Sequence, residues 1–334
     1  SFHDVEFRCL TLTENELIHL FYFKFQEIPL LSRMDAVMEY FIDEYETLHD
    51  CTLSEEDLDI IARKFEKLYV TRDLYKIYNK LLEENGYPAL PDVPQEKRVL
   101  AYEDVYPLLY LKYRLCRVRD HKNIKHLVID EMQDYSYLQY LILRQMFNCK
   151  MTILGDRAQT MEEQTHDVLE FLPGIFGKDI RKIILNKSYR NTVEIAEYAN
   201  RTAGIRDMEI FQRHGKEVEE KVLDGKEAAA EEICRDLNLG PQGYETAALL
   251  TMSEEEARKV YEYLKEKGMQ ASYVDRNSSS FKKGLTVTTF YLAKGLEFDQ
   301  VFVLARRKKT PLLIQAEYIC ATRALHELYV YQCF

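Results

Sequence analysis

Two adjacent carboxylates, Asp130 and Glu131, follow the short apolar run Leu127-Val128-Ile129 within the segment Ile124–Asp134. The run reads as a buried strand of a parallel sheet. Acids at the carboxyl end of such a strand emerge where open α/β sheets bind ligands. Nucleotide hydrolysis uses a pair of this kind, the first acid holding Mg²⁺ through water and the second polarising the attacking water. Asp-Glu alone is far more often a strand followed by a solvated turn, so the reading depends on what else the chain carries.

Four further clusters follow in order. A second apolar strand, Met151-Thr-Ile-Leu154, ends in Gly155-Asp156-Arg-Ala-Gln159. Arg181-Lys-Ile-Ile-Leu185 reads as a strand leading to Asn186-Lys-Ser-Tyr-Arg190. Thr286-Val-Thr-Thr289 leads to Ala293-Lys-Gly-Leu-Glu-Phe298, and Glu317-Tyr-Ile-Cys-Ala-Thr-Arg-Ala324 comes near the end. In this order the five clusters, spread over 195 residues, resemble motifs II to VI of superfamily 1 helicases of the UvrD/Rep type. The wording DEMQDYS, LGDRAQT, NKSYRNT and YLAKGLEFD is most similar to the HelD branch, helicase-like ATPases that bind bacterial RNA polymerase.

The resemblance implies a role for each matching residue. Asp130 would help bind Mg²⁺, and Glu131 would act as general base toward water. Gln159 would sense the γ-phosphate and couple it to domain closure. Tyr189 would stack on the adenine, and Arg190 and Arg323 would point at the γ-phosphate as arginine fingers. Glu297 would contact the ribose, and Gly295 would allow close backbone approach. ATP and Mg²⁺ are the implied cofactors, with DNA, bacterial RNA polymerase or both as partners. Singly, each residue has a plainer reading: Arg190 or Arg323 as a helix-end ion pair, Tyr189 as half-buried core, Gln159 as a turn residue.

Three features depart from the family pattern. No G-x-x-x-x-G-K-[ST] phosphate-binding loop is present. In the family that loop precedes the acidic strand, so Ser1 reads as a boundary inside a longer protein, and these residues alone are expected to be inactive as an ATPase. The stretch Thr160-Met-Glu-Glu-Gln164 lacks the aromatic residues that stack on single-stranded bases, and the chain has no Trp. Only 98 residues separate Arg190 from Thr289, too few for the large subdomain that UvrD-type helicases insert there.

The expected fold is α/β, with two RecA-like parallel-sheet domains of the P-loop NTPase type, the first incomplete, preceded by a mostly helical insertion. The boundaries are 1–95 for an acidic helical insertion, 96–204 for the distal part of the first RecA-like domain with motifs II to IV, and 205–334 for the second with motifs V and VI. In 1–95, apolar residues recur at helical spacing: Leu17, Leu20 and Phe21, then Val37, Tyr40, Phe41 and Tyr45. Thr11–Glu14 and Ser54–Asp57 read as helix-opening boxes, and a helical pattern from Leu68 to Leu82 runs until Asn85-Gly86. Pro88, Pro91 and Pro94 mark a linker. Beyond it, helices are expected at 102–119, 137–147, 192–201, 227–237, 253–267 and 315–325. Strands are expected around Ile129, Leu154, Ile183, Val222, Ala247–Thr251, Ser272, Val287, Val301–Leu304 and Leu328–Tyr331.

Charge separates these regions. The 334 residues carry a net charge of −11, and residues 1–95 hold all of the excess, with 9 basic against 20 acidic side chains. Duplex binding rests on basic contacts to phosphates, so the first segment is a poor DNA-binding candidate. The acidic group Glu55, Glu56, Asp57 and Asp59 reads as first-turn acids facing a helix dipole, or as an acidic tip reaching a metal site or basic channel in a partner. No apolar run approaches the roughly 18 residues of a membrane span, and a cytoplasmic location is expected. The seven cysteines are scattered without any C-x-x-C, which favours buried reduced thiols.

Overall fold

The computed structural model describes residues 2–118, 121, 123–156, 159, 168–177, 179–206, 208–278 and 283–333. The chain divides into two compact units: residues 1–129 with 135–153 and 171–178, and residues 130–134 with 154–170 and 179–334.

The first unit opens with an antiparallel hairpin, β1 (Val5–Phe7) and β2 (Leu10–Leu12), turned at Arg8-Cys9. Helices α1 (Glu14–His19), α2 (Leu30–His49), α3 (Glu55–Glu66), α4 (Leu74–Glu84) and α5 (Tyr102–Leu115) follow. Then come β3 (His126–Ile129), α6 (Tyr137–Met146) and β4 (Lys150–Ile153), with β3 and β4 paired in parallel. Val37, Phe41 and Tyr45, one helical turn apart, bury one face of α2 against Leu17, Phe21, Ile61 and Phe65. Three expectations need correcting here. The box that opens α1 is Thr13 with Glu16, because Thr11 already belongs to β2 and pairs with Glu6. The helical pattern expected from Leu68 starts only at Leu74, where the Asp73 carboxylate caps the Tyr75 N–H at 3.0 Å and holds Arg98 at 2.7 Å. Nor is β3 buried throughout: Val128 is 60% exposed.

Helix α7 (Val168–Phe176) comes next, followed by β5 (Lys187–Ser188), α8 (Val193–Ala203), β6 (Glu209–Ile210), β7 (Glu219–Val222) and α9 (Gly225–Asp236). The chain ends with β8 (Thr246–Thr251), α10 (Glu254–Glu266), β9 (Ala271–Tyr273), β10 (Gly284–Thr289), β11 (Phe298–Ala305), α11 (Pro311–Ala321) and β12 (Ala324–Gln332). The second unit is built on a six-stranded, wholly parallel sheet in the order β7-β12-β11-β8-β10-β9. Its central strands β8, β11 and β12 each carry a continuous apolar run, as expected where both faces are covered. Ala248, Leu250, Val301, Val303, Leu328 and Val330 face α8 and α11, while Ala247, Leu249, Phe302, Leu304, Tyr329 and Tyr331 face α9 and α10. This mixed α/β arrangement is consistent with the sheet expected of a RecA-like half.

Two elements of this unit differ from expectation. Residues 181–185 form no strand, and Ile183, Ile184 and Leu185 are exposed. A parallel strand needs a neighbour to complete its ladder, and none pairs with this run among the described residues. The last helix stops at Ala321 rather than Leu325, because Ala324 onward joins the ladder beside β11. The thiols also depart from a buried set: Cys320 and Cys333 are buried, but Cys9, Cys51 and Cys234 are exposed. Among the described residues no helix is long and apolar enough to cross a membrane.

Candidate functional site

Glu131 is held in an unusual backbone conformation. Its φ is +53°, the left-handed region that residues with a side chain seldom adopt. Its N–H donates to Asp130 Oδ1 at 2.8 Å, and the next amide, Met132 N–H, reaches Leu154 O at 2.8 Å. Such strain persists only where the surroundings enforce it, and it collects at functional sites. Gln133 fixes the side chain, its Nε2 donating to Glu131 Oε2 at 2.5 Å while its Oε1 accepts the Asp156 N–H at 3.1 Å.

Gly155 makes this turn possible. A Cβ there would lie 2.4 Å from Met132 Cγ, 2.5 Å from Gln133 Oε1 and 2.8 Å from the Met132 backbone nitrogen. The last contact is with backbone, which cannot swing aside. Gly155→Ala is expected to destabilise the protein by about 1–2 kcal/mol, read as a lower urea midpoint. An unchanged midpoint would show that the Glu131 turn has slack.

Gln159 is buried and links three of the five motifs. Its Nε2 donates to Asp156 Oδ2 at 2.9 Å, its Oε1 accepts from Arg323 Nη2 at 3.0 Å, and its carbonyl accepts from Lys294 Nζ at 3.1 Å. Tyr318 donates to the same Asp156 oxygen at 3.3 Å. Burial, with the Asp156 charge adding, pushes the Tyr318 hydroxyl well above its ordinary range, so it remains a donor.

Arg323 is 1% exposed. Its other donors go to Ile319 O (3.2 Å), Leu296 O (3.2 Å) and Thr322 Oγ1 (3.1 Å). A guanidinium has five N–H groups, so one on Nη1 remains after these four bonds. No carboxylate lies within ion-pair distance of it among the described residues. Burial, and then the charge of Arg190, lowers its pKa, while Glu131 and Glu297 act the other way. Two guanidinium groups that repel each other beside a site of mixed charge form a place for an anion.

Arg190 is 46% exposed and pairs through Nε with Glu297 Oε1 at 2.7 Å. The resemblance gives both residues to a nucleotide, whereas here they hold each other. A surface pair of this sort contributes about 0–1 kcal/mol, so opening it is easy. Tyr189 and Phe211 are exposed, with ring centres 5.6 Å apart and planes at 36°. Gly295 has φ +80° and open space where a Cβ would be, so conformation rather than crowding calls for glycine there. Asp130 is exposed, and one of its oxygens accepts nothing among the described residues. Thr160–Gln164 lies outside the described residues.

Four residues of the site were not singled out by sequence reasoning. Lys294, its side chain 6% exposed, reaches Asp134 Oδ1 at 2.5 Å and Glu131 Oε2 at 3.8 Å. Gln133 braces Glu131. Asn191, buried, donates to Thr322 O (3.3 Å) and Ala324 O (2.7 Å), and Arg213 donates to Arg190 O and to Leu325 O (2.9 Å). Together Asn191 and Arg213 stitch the backbone that carries Arg190 to the backbone that carries Arg323. Lys294, Gln133 and Asn191 stand inside the motifs and could have been found there. Nothing in the sequence around Arg213 marks it.

To a magnesium–nucleotide complex these residues would offer a free carboxylate oxygen on Asp130 for a hydrated cation, a spare N–H on Arg323 and the exposed Arg190 for phosphate oxygens, and an exposed ring pair for a base. No family model matches the chain, and none of the curated proteins does. Among solved structures, the chain is similar to the C-terminal domain of a possible DNA helicase from Lactobacillus plantarum WCFS1, at 25% identity and TM-score 0.37, over 44% of this chain and 88% of that one. It is also similar to the PRRSV helicase, at 15% identity and TM-score 0.33, over 77% of this chain and 45% of that one.

Proposed function

We propose that these residues belong to a helicase-type, nucleoside-triphosphate-driven motor and supply the water-activating, sensing and arginine parts of its ATP site. The observation that carries this reading is the hydrogen-bonded chain Asp156–Gln159–Arg323 beside the strained Glu131, with Lys294 tying Glu131, Asp134 and the Gln159 carbonyl together. Residues from motifs II, III, V and VI meet in it, through hydrogen bonds that span up to 164 positions. Magnesium-bound ATP would supply the phosphoanhydride to be hydrolysed. Around it Asp130 would hold the hydrated cation, Glu131 would take the proton of the attacking water, and Arg323 and Arg190 would offset charge on the γ-phosphoryl oxygens. Tyr189, with Phe211, would take the base, and Glu297 the ribose once released from Arg190.

The finer reading is a HelD-like remodeller of RNA polymerase, with the acidic residues 1–95 as the part that meets a partner. It is supported by the neutral charge of residues 96–334 and by the missing stacking aromatics after motif III. A single-stranded DNA translocase is the alternative. Salt-sensitive binding of single-stranded DNA would favour it.

Ligand-observed NMR tests the nucleotide reading on this chain, because saturation transfer reports weak complexes. With no phosphate-binding loop in these residues, Mg²⁺ and a non-hydrolysable ATP analogue are expected to bind weakly. Saturation should reach the adenine protons and be lost in Tyr189→Ala. No transfer at millimolar protein and analogue, or transfer indifferent to Tyr189→Ala, would overturn the assignment.

A further inference from the structure

The hairpin tip of the first unit places Cys9 directly after Arg8, whose φ is 52°. Cys9 Sγ lies 3.0 Å from Nε2 of His49, in the last turn of α2. On the other side of the ring, Nδ1 is 2.9 Å from the Tyr45 carbonyl oxygen. A carbonyl only accepts, so Nδ1 carries the ring proton, and in the neutral imidazole Nε2 is left as the acceptor. The thiol is therefore the donor. This is the polarity of a nucleophile and its base, with the base oriented by a third group.

The pair stands on an anchored platform. The His49 and Tyr45 rings stack at 4.3 Å and 22°, and Tyr45 is itself buried, edge-on to Phe7 at 5.2 Å. Arg8 ties the hairpin tip to the same platform, donating to the Tyr45 hydroxyl at 3.4 Å and pairing with Asp57 at 2.7 Å.

The other thiols are differently placed. Burial pushes Cys116, Cys234, Cys320 and Cys333 upward, the last to about 11. Cys51 is exposed and Cys149 half-buried, and among the described residues neither meets an imidazole.

We propose that Cys9 is a modification site: a nucleophilic thiol, with His49 as its base, that hydroperoxides oxidise to a sulfenic acid. The sulfur attacks the terminal peroxide oxygen, an S–O bond forms and the O–O bond breaks. Sulfur is oxidised by two electrons and the peroxide is reduced. The thiol proton, passed to Nε2, goes to the departing oxygen, which leaves as water when the oxidant is hydrogen peroxide. Neither the sulfur nor the oxidant depends on the nucleotide reading above.

The test is peroxide oxidation of the whole chain with a dimedone trap, followed residue by residue by mass spectrometry. Cys51, exposed in the same molecule, serves as the internal reference. Cys9 is expected to react at least about tenfold faster than Cys51, and His49→Gln to bring it down to the Cys51 rate. Because Cys51 reports on the same folded chain, a variant that merely unfolds is recognised by a change at both residues; iodoacetamide labelling of Cys9 in the folded parent then decides, with the same tenfold excess expected. Equal rates for Cys9 and Cys51 in the parent, or a Cys9 rate untouched by His49→Gln, would overturn the proposal.

Discussion

Arg323→Ala is expected to lose about 2–3 kcal/mol of unfolding free energy and Arg190→Ala about 1 kcal/mol or less, whereas under the proposed function both variants are expected to lose engagement of the γ-phosphate. The two arginines share a proposed role and differ in surroundings. Arg323 is 1% exposed and donates to Gln159, Leu296, Ile319 and Thr322, so truncation strands buried acceptors and opens a cavity. Part of that loss is offset, because the guanidinium is itself disfavoured by burial and by Arg190. Arg190 has a surface partner, Glu297, and its removal leaves only a carboxylate that water can solvate. Urea unfolding measures the first difference. Broadening of the γ-phosphorus signal of the bound ATP analogue measures the second, and it should be lost in both variants. In a complete site each arginine would contribute about 10³–10⁵ in turnover. Equal stability losses would contradict the burial argument, and an unchanged γ-phosphorus signal in either variant would remove that arginine from the site.

The central strands of the second unit's sheet were legible because each carries an unbroken apolar run. Ala247–Leu250, Val301–Leu304 and Leu328–Tyr331 read as strands covered on both faces, and they are. The same local signal misled at Ile183-Ile184-Leu185. An apolar run states what a strand would need and not whether a neighbour is present to pair with it. The start of β12 shows the opposite failure. Ala324-Leu-His-Glu327 has helical propensity, yet pairing with β11 overrides it.

Within the site, residue types were legible and contacts were not. Asp130, Glu131, Gln159 and Arg323 could be marked by motif, but that Gln159 and Arg323 bond to each other is a contact across 164 positions, which no local pattern encodes. The Arg190–Glu297 pair was hidden for the same reason; it occupies Arg190 Nε and one Glu297 oxygen and, among the described residues, leaves the Nη groups of Arg190 open. Gly155 is intermediate: its place after a strand was visible, while the need for glycine comes from Met132 and Gln133 more than twenty residues earlier.

Lys294→Met should expose the competition between protein and metal charges at Glu131 and Asp134. The Lys294 ammonium lies 2.5 Å from Asp134 and 3.8 Å from Glu131, and at an effective dielectric near 20 the longer contact alone is worth about 4 kcal/mol before desolvation. Asp134 and Glu131 each keep about a third of their side chain in water. The net loss in Lys294→Met is therefore placed at roughly 2–3 kcal/mol, below the usual figure for a fully buried pair. The variant leaves Glu131 and Asp134 without that counter-charge, so a divalent cation beside them gains what the ammonium gave up. By linkage, Mg²⁺ at a hundred times its dissociation constant returns about 2.7 kcal/mol, close to the whole loss. Urea midpoints of the parent should hardly move with added Mg²⁺, those of Lys294→Met should rise, and adding Asp134→Asn to the variant should blunt the rise. A parent that responds to Mg²⁺ as strongly as the variant would mean that ammonium and cation do not share these carboxylates, and the cation would then have to be held by Asp130 alone.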